Sequence, residues 1–244
     1  MKKAIRVELD AAFVLHQRRF RETSLLLEVF TENHGRQAMI ARGARRPGSR
    51  WHGLLTPFTP VLVSWMRRGE LGTVTEVERR PGNGNLHGRE VLSGFYLNEL
   101  LMRMMARDDP HPELFLAYAE ALADLSRLDE IEPVLRVFEK RLLESVGYGL
   151  ILDHCVSDGA AIEPDRQYRY RAEHGPADGA GTSGVAVSGA TLMALAAESL
   201  TTAAHLSEAK RLMRHILDRH LDGKPLFSRR LFRPARRSAA ANTI

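Results

Sequence analysis

The segment Arg42-Gly-Ala-Arg-Arg-Pro-Gly-Ser-Arg-Trp51 gathers guanidinium groups, loop-forming glycines and an aromatic ring in one short stretch. Guanidinium groups grip phosphate oxygens bidentately, and a flat ring stacks on an unpaired base whatever its identity. Together they are the chemistry of sequence-neutral binding to a single strand. Trp51 has an equally ordinary use as an apolar anchor closing a barrel, and the residues alone leave both uses open. Trp65 lies in an alternating apolar run and reads as packing.

The location of charge extends this reading. The net charge is +5 over 244 residues. Between Glu32 and Glu70 there is no carboxylate, while Arg36, Arg42, Arg45, Arg46, Arg50, Arg67 and Arg68 all fall there. Beyond Asp222 acids are again absent, while Lys224, Arg229, Arg230, Arg233, Arg236 and Arg237 follow one another. The rest of the chain is net acidic. Two separate acid-free zones suit a polyanionic partner, with nucleic acid the commonest. The plainer alternative is a solvated loop and a solubilising basic tail.

Other chemistries lack their residues. Gly82-Asn-Gly-Asn-Leu-His-Gly88 nearly spells a dinucleotide fingerprint, but His87 stands at the third glycine position and no βαβ unit surrounds it. The Gly-x-x-x-x-Gly-Lys-Ser/Thr sequence of an ATP-binding loop is missing, and residues 179–189 contain no lysine. His154, Cys155 and Asp158 could contribute to a metal site, but a structural zinc calls for four ligands, commonly in paired Cys-x-x-Cys spacing. Cys155 is the only cysteine, so no intramolecular disulfide framework is possible and a reducing compartment fits. None of the ten histidines falls in a nucleophile motif. Glu8 and Asp10 interrupt any leader-like apolar run after Lys3, and no stretch approaches the length of a membrane span. The protein is expected in the cytoplasm, without membrane contact.

The elements that must position these residues change character near Pro81. Before it, residues 5–16, 24–31, 35–42, 60–66 and 70–79 are short runs rich in Val, Leu, Ile, Phe and Thr, separated by turn formers or charge clusters. Alternation is clear at 36–42 and 73–78. Five such strands suit a small closed barrel, as in oligonucleotide-binding (OB) folds. After Pro81 the period becomes helical. Apolar steps of three and four residues run through 89–107 and 110–127, and again from Pro133 to the stop at Gly147. Ser188 and Ser207 read as helix caps, the latter near a last amphipathic helix ending about Leu221. Residues 153–189 read as a Gly/Ser/Asp-rich irregular insert with one β-like stretch at 167–171. The predicted fold is therefore α+β: an OB barrel over 1–80, a mainly α-helical domain over 81–237, and a disordered tail over 238–244.

The chain also resembles a known family. Ala12-Phe-Val-Leu-His16, Arg21-Glu-Thr-Ser24, Val29-Phe-Thr31, Gly35-Arg36, Arg42-Gly-Ala-Arg45 and Thr56-Pro-Phe-Thr-Pro60 are similar to the N-terminal barrel of RecO. Tyr96-Leu-Asn-Glu-Leu-Leu101, Leu135-Arg-Val-Phe-Glu139, Gly147-Tyr-Gly149, His154-Cys155, Tyr168-Arg-Tyr170 and Gly223-Lys-Pro-Leu-Phe-Ser-Arg229 continue the likeness in order.

The resemblance implies a bacterial DNA-repair and recombination mediator without turnover or cofactor. Such a protein would bind single- and double-stranded DNA at the nucleoid, anneal complementary strands and, with RecR, help load RecA. The DNA it serves would be coated by single-stranded-DNA-binding protein (SSB). The DNA-contacting candidates are Arg36, Arg42, Arg45, Arg46, Arg50, Trp51, Arg67, Arg68, Lys224, Arg229, Arg230 and Arg233. The SSB acidic tail would meet Arg136, which matches the arginine of the family's Leu-Arg-x-Phe-Glu motif, beside Phe138, Lys140 and Leu142. Some family members carry a four-cysteine zinc module in the insert; with Cys155 alone, no metal is expected. A metal-dependent nuclease acting on the same DNA is the competing reading, and it would need clustered carboxylates near the basic face.

Overall fold

The computed structural model describes residues 4–82, 86–178, 183–221 and 223–231. The first five strands are β1 (Ile5–Phe20), β2 (Ser24–Thr31), β3 (Gly35–Ala41), β4 (Pro60–Arg67) and β5 (Gly72–Arg79). They close a barrel in the order β1-β2-β3-β5-β4. All neighbours are antiparallel except β3 and β5, whose short parallel pairing joins Met39 to Gly72 and Ile40 to Thr73. This is the OB-type barrel expected from the strand count.

β1 is the strand that organises the molecule. Because successive side chains point to opposite faces, its unbroken apolar run divides in two. Ala12 and Val14 join Leu27, Val29, Met39, Val61, Val63 and Trp65 inside the barrel. Ala11, Phe13 and Leu15 join Phe30 in a second core shared with the helices. Register shifts between Val7 and Asp10 in the β1–β4 ladder, where Leu9 has φ 49°. The Leu9 N–H is taken up by Ser64 Oγ at 3.0 Å.

The helical part consists of α1 (Gly88–Met104), α2 (Pro112–Leu125), α3 (Ile131–Ser145), α4 (Gly189–Ala196), α5 (Ala203–His220) and the short α6 (Ser228–Leu231). α3 begins two residues before the expected Pro133, which its first turn accepts because that turn's N–H groups have no intrahelical partner. Ser188 caps α4 by accepting from the Thr191 N–H, and Thr202 caps α5 by accepting from His205. The expected cap Ser207 instead lies inside α5.

The region expected to be an irregular insert is more ordered than that. It holds a three-stranded antiparallel sheet, β6 (Gln167–Arg171) between β7 (Gly175–Ala177) and β8 (Val185–Ser188). Tyr168, Tyr170 and Val187 bury their side chains from this sheet in the main core. Cys155 is buried there too, with Sγ 3.5 Å from Ser157 Oγ.

Barrel and helices are joined by aromatic packing and by a hydrogen-bonded loop. Phe13 packs against Phe115 at 5.4 Å and edge-on to Tyr118 at 5.1 Å, while Phe30 meets Phe115 at 5.4 Å. Asn98 Nδ2 donates to the Leu15 carbonyl at 2.8 Å, and its Oδ1 accepts from Tyr118. At the β2–β3 turn the α1–α2 loop crosses the backbone closely, with Asp108 N–H donating to the Arg36 carbonyl at 3.2 Å. Gly35 sits there at φ +65°, and a Cβ would lie 2.0 Å from the Asp109 carbonyl oxygen. Only glycine satisfies both demands.

Candidate nucleic-acid interface

One end of the barrel is made by the β1–β2 turn and the long β3–β4 connection. That connection is a chain of turns: Arg46, Ser49, His52 and Leu54 donate N–H bonds to Gly43, Arg46, Ser49 and Trp51 at 3.0, 3.1, 3.1 and 3.1 Å. It is fastened to the β1–β2 turn twice, by Arg45 N–H to the Thr23 carbonyl at 2.9 Å and by Arg45 Nη1 to the Glu22 carbonyl at 2.9 Å. Ala44, Trp51 and Leu55 plug the barrel interior, so Arg42, Arg45, Arg46 and Arg50 are turned outward and exposed.

The β1–β2 turn adds cations where the sequence suggests only a spacer. β1 runs past His16 to Phe20, so Arg18, Arg19 and Arg21 are exposed at the same end. Phe20 is half-exposed among them, and the Arg21 guanidinium lies 5.4 Å from its ring centroid. Arg45 and Arg50 donate to backbone carbonyls, and Arg21 and Arg50 lie over aromatic rings. Among the described residues, none of these seven arginines is ion-paired. Glu22 is the one acid in the turn itself. The signal was present in the run Arg18-Arg19-Phe20-Arg21, where basic and aromatic residues interleave.

Trp51 is placed in the barrel core, only 9% exposed, because the turns ahead of it fold the connection inward. The Arg50 guanidinium lies 5.6 Å from its ring centroid, and Arg50 Nη2 also donates to the Thr75 carbonyl at 3.2 Å. In this arrangement the ring has no open face for a base. Phe20 is the aromatic the site leaves accessible.

The other candidates separate from this end. Ile5 pairs with Arg67 and Phe20 with Ser24, at opposite ends of β1, so Arg67 and Arg68 lie away from the turn cluster. Arg36 meets Glu28 at 3.4 Å, and Arg67 bonds Gln37 Oε1 at 3.0 Å and the Asp108 carboxylate. The acid-free stretch of sequence is therefore partly neutralised by acids from outside it, one of them on the α1–α2 loop. Arg68 is exposed.

At the second basic zone, Leu226 is buried and Glu99 on α1 holds the backbone. Glu99 accepts from the Phe227 N–H at 2.9 Å, and from the Ser228 N–H and Oγ at 2.8 and 2.7 Å. Burial opposes the charged Glu99 carboxylate, but those bonds and Arg103 outweigh it and hold its pKa below the usual range. Arg229 turns inward to Asp218. Lys224 and Arg230 are exposed, and Arg233 lies outside the described residues.

The four residues expected to meet an acidic tail are in one place but face inward. Arg136 is 5% exposed, and its Nη2 donates to Glu139 Oε1 at 2.7 Å. Tyr96 donates to the same oxygen at 2.5 Å. Burial pushes the Glu139 carboxyl up against the pull of Arg136, and burial beside Glu139 pushes the Tyr96 hydroxyl up as well. Phe138 and Leu142 are in the core, and Lys140 pairs with Glu198 at 3.0 Å and Glu144 at 3.3 Å. Three residues apart on one helix, Arg136 and Glu139 would ordinarily form a surface pair. Here the pair is buried, with Tyr96 of α1 closing over it and bonding the same carboxylate oxygen.

Comparison with known proteins agrees with this architecture. Residues 5–80 match the family model Recombination protein O N terminal, and residues 88–230 match Recombination protein O C terminal. Over 228 residues the chain is 48% identical to the DNA repair protein RecO of Methylococcus capsulatus, covering 93% of this chain and 94% of that protein. Against the protein of the same name from Thiobacillus denitrificans the identity is 44% over 242 residues, covering 96% and 94%. That of Nitrosospira multiformis is also 44% identical, over 231 residues, covering 93% and 96%. No helix of the described residues is long and apolar enough to cross a membrane. With both parts matched in chain order and nearly half its residues shared with such relatives, the chain belongs to the RecO family of DNA repair and recombination proteins.

Proposed function

We propose that the chain is a non-catalytic recombination mediator that binds single-stranded DNA at the turn end of its barrel and anneals complementary strands. The observation that carries this reading is the cluster of exposed arginines without carboxylate partners around the β1–β2 turn. Two strands repel each other as polyanions, and a cationic surface that holds one lowers the cost of bringing in the other. Duplex DNA, the product, shares the phosphate contacts. A nuclease would need paired carboxylates to hold its metal, and the turn end offers Glu22 among guanidiniums.

The family relationship motivates the partners. In this reading the protein works at the nucleoid in the cytoplasm, binds RecR, recognises the acidic tail of SSB and so favours RecA loading. The helical domain receives the tail, and Arg136 acts through the packing of α3, because its guanidinium is already committed to Glu139.

The decisive measurement is salt-dependent binding and annealing of mixed-sequence single strands, with and without magnesium, while strand length is monitored. Replacing Arg42, Arg45 and Arg46 by alanine should reduce affinity more than ten-fold at low salt. It should also flatten the log–log salt slope by about 0.7 for each phosphate left unneutralised. Unchanged slope would remove the turn end from the proposal, and magnesium-dependent shortening would favour the nuclease.

A further inference from the structure

Phe227 is the most exposed large apolar side chain among the described residues, at 66%. It is not a loose end. Its own N–H is fixed to Glu99, the next residue is fixed there twice more, and the preceding Leu226 is buried. The chain therefore anchors both neighbours and presents the ring to solvent. Around it stand the Arg230 and Arg103 guanidiniums, 5.5 and 5.9 Å from the ring centroid, with Lys224 exposed three residues earlier. Glu99, the nearby acid, is occupied by Arg103 and the backbone.

We infer that Phe227, Arg103, Arg230 and Lys224 form a second single-strand contact on the helical domain, with the ring as a stacking platform for one unpaired base. The inference rests on the proposed DNA-binding function and adds a separate, base-dependent site to the barrel's phosphate-dependent one. The surroundings select the ligand. An apolar peptide or a lipid chain would need apolar neighbours, whereas this ring is bordered by cations. A flat apolar group carried on a polyanion, which is an unpaired nucleotide, satisfies both the ring and the guanidiniums. The site also answers a requirement of annealing, because a protein that pairs two strands gains from a contact that a duplex, with its bases stacked inside, cannot make.

The test uses the full chain with two oligonucleotides of equal length, one an oligothymidylate and one with abasic sugars throughout, long enough to reach both parts. Phe227→Leu keeps an apolar side chain but removes the ring. It should weaken oligothymidylate binding about five-fold or more, leave abasic binding unchanged and leave the salt slope unchanged. Phe227→Trp should bind oligothymidylate at least as well as the wild type, with indole fluorescence quenched by thymidylate and not by the abasic strand. Equal losses on both oligonucleotides, no loss on either, or quenching by both would overturn the stacking site. The barrel reading fails differently: there Arg42→Ala, Arg45→Ala and Arg46→Ala together leave binding of both strands and the salt slope untouched.

Discussion

Arginines at the barrel's turn end and arginines along α3 are the same amino acid in opposite surroundings. At the turn end the guanidiniums of Arg18, Arg19, Arg21, Arg42, Arg45 and Arg46 face solvent without carboxylate partners among the described residues, Arg45 bonding a backbone carbonyl instead. On α3, Arg136 is enclosed with Glu139 and Tyr96, and Arg141 is clamped by Glu198 at 2.6 Å and Glu120 at 2.7 Å. An exposed unpaired cation keeps its field for a partner from outside. A paired buried one spends that field within the fold, and its worth shows only when it is removed.

The sharpest way to break this contrast is at Arg136. Arg136→Ala should lower unfolding free energy by about 3–5 kcal/mol, because Glu139 is left enclosed without its cation and must either stay uncompensated or take up a proton. Denaturant titration measures this, and DNA-binding salt slopes in the surviving folded fraction should not change. Replacing the group together, as Arg136→Met, Glu139→Leu and Tyr96→Phe, should recover most of the stability. If Arg136→Ala instead keeps its stability and loses only partner binding, the internal role is wrong.

A second comparison concerns the plug of the barrel. Trp51→Leu should cost about 2 kcal/mol in stability through poorer packing while leaving oligonucleotide affinity intact. Weaker binding at unchanged stability would return Trp51 to the binding surface.

The anchoring of the second basic zone can be probed by pH. Glu99 has a depressed pKa in the folded protein, so its contribution is present above the unfolded carboxylate value, near ~4.3, and is lost as pH falls through the folded value. Hydrogen-exchange protection of residues 226–231 should hold in mildly acid solution and fail only below that range. Glu99→Gln should weaken the docking by about 1–2 kcal/mol and flatten the acid profile. A midpoint near neutrality would implicate a histidine instead. The smallest effect is expected at Arg68, which lies away from the turn cluster: Arg68→Ala should change single-strand affinity by less than about two-fold.

The barrel is legible in the sequence because its strands alternate and its turn formers fall between them. The boundaries of β2 coincide with the sequence reading, and β4 and β5 differ by one or two residues. The charged run after His16 reads as a turn, whereas the backbone of β1 continues pairing to Phe20 against Ser24. That misjudged end conceals Arg18, Arg19 and Arg21. The small sheet of the insert is only one-third visible, since β7 is the tripeptide Gly175–Ala177 and too short to show a period. Charge counting along the chain finds Arg36 and Arg67 but not Asp108, which reaches Arg67 from 41 positions away. Long-range pairing of this kind leaves no local trace. The same limit applies to Arg136, whose enclosure with Glu139 depends on Tyr96 from another helix.

The aromatic seam between barrel and helices has a practical consequence for anyone who divides the protein. Phe13 and Phe30 belong to the barrel strands, yet their partners Phe115 and Tyr118 are on α2. A fragment ending near residue 80 would carry those rings bare on its outer wall, beside Ala11 and Leu15, and would be prone to self-association. Gly35 would lose the loop that crosses it. With the two parts packed across this seam, a strand held at the turn end in the proposed way would keep a fixed distance and orientation to Phe227.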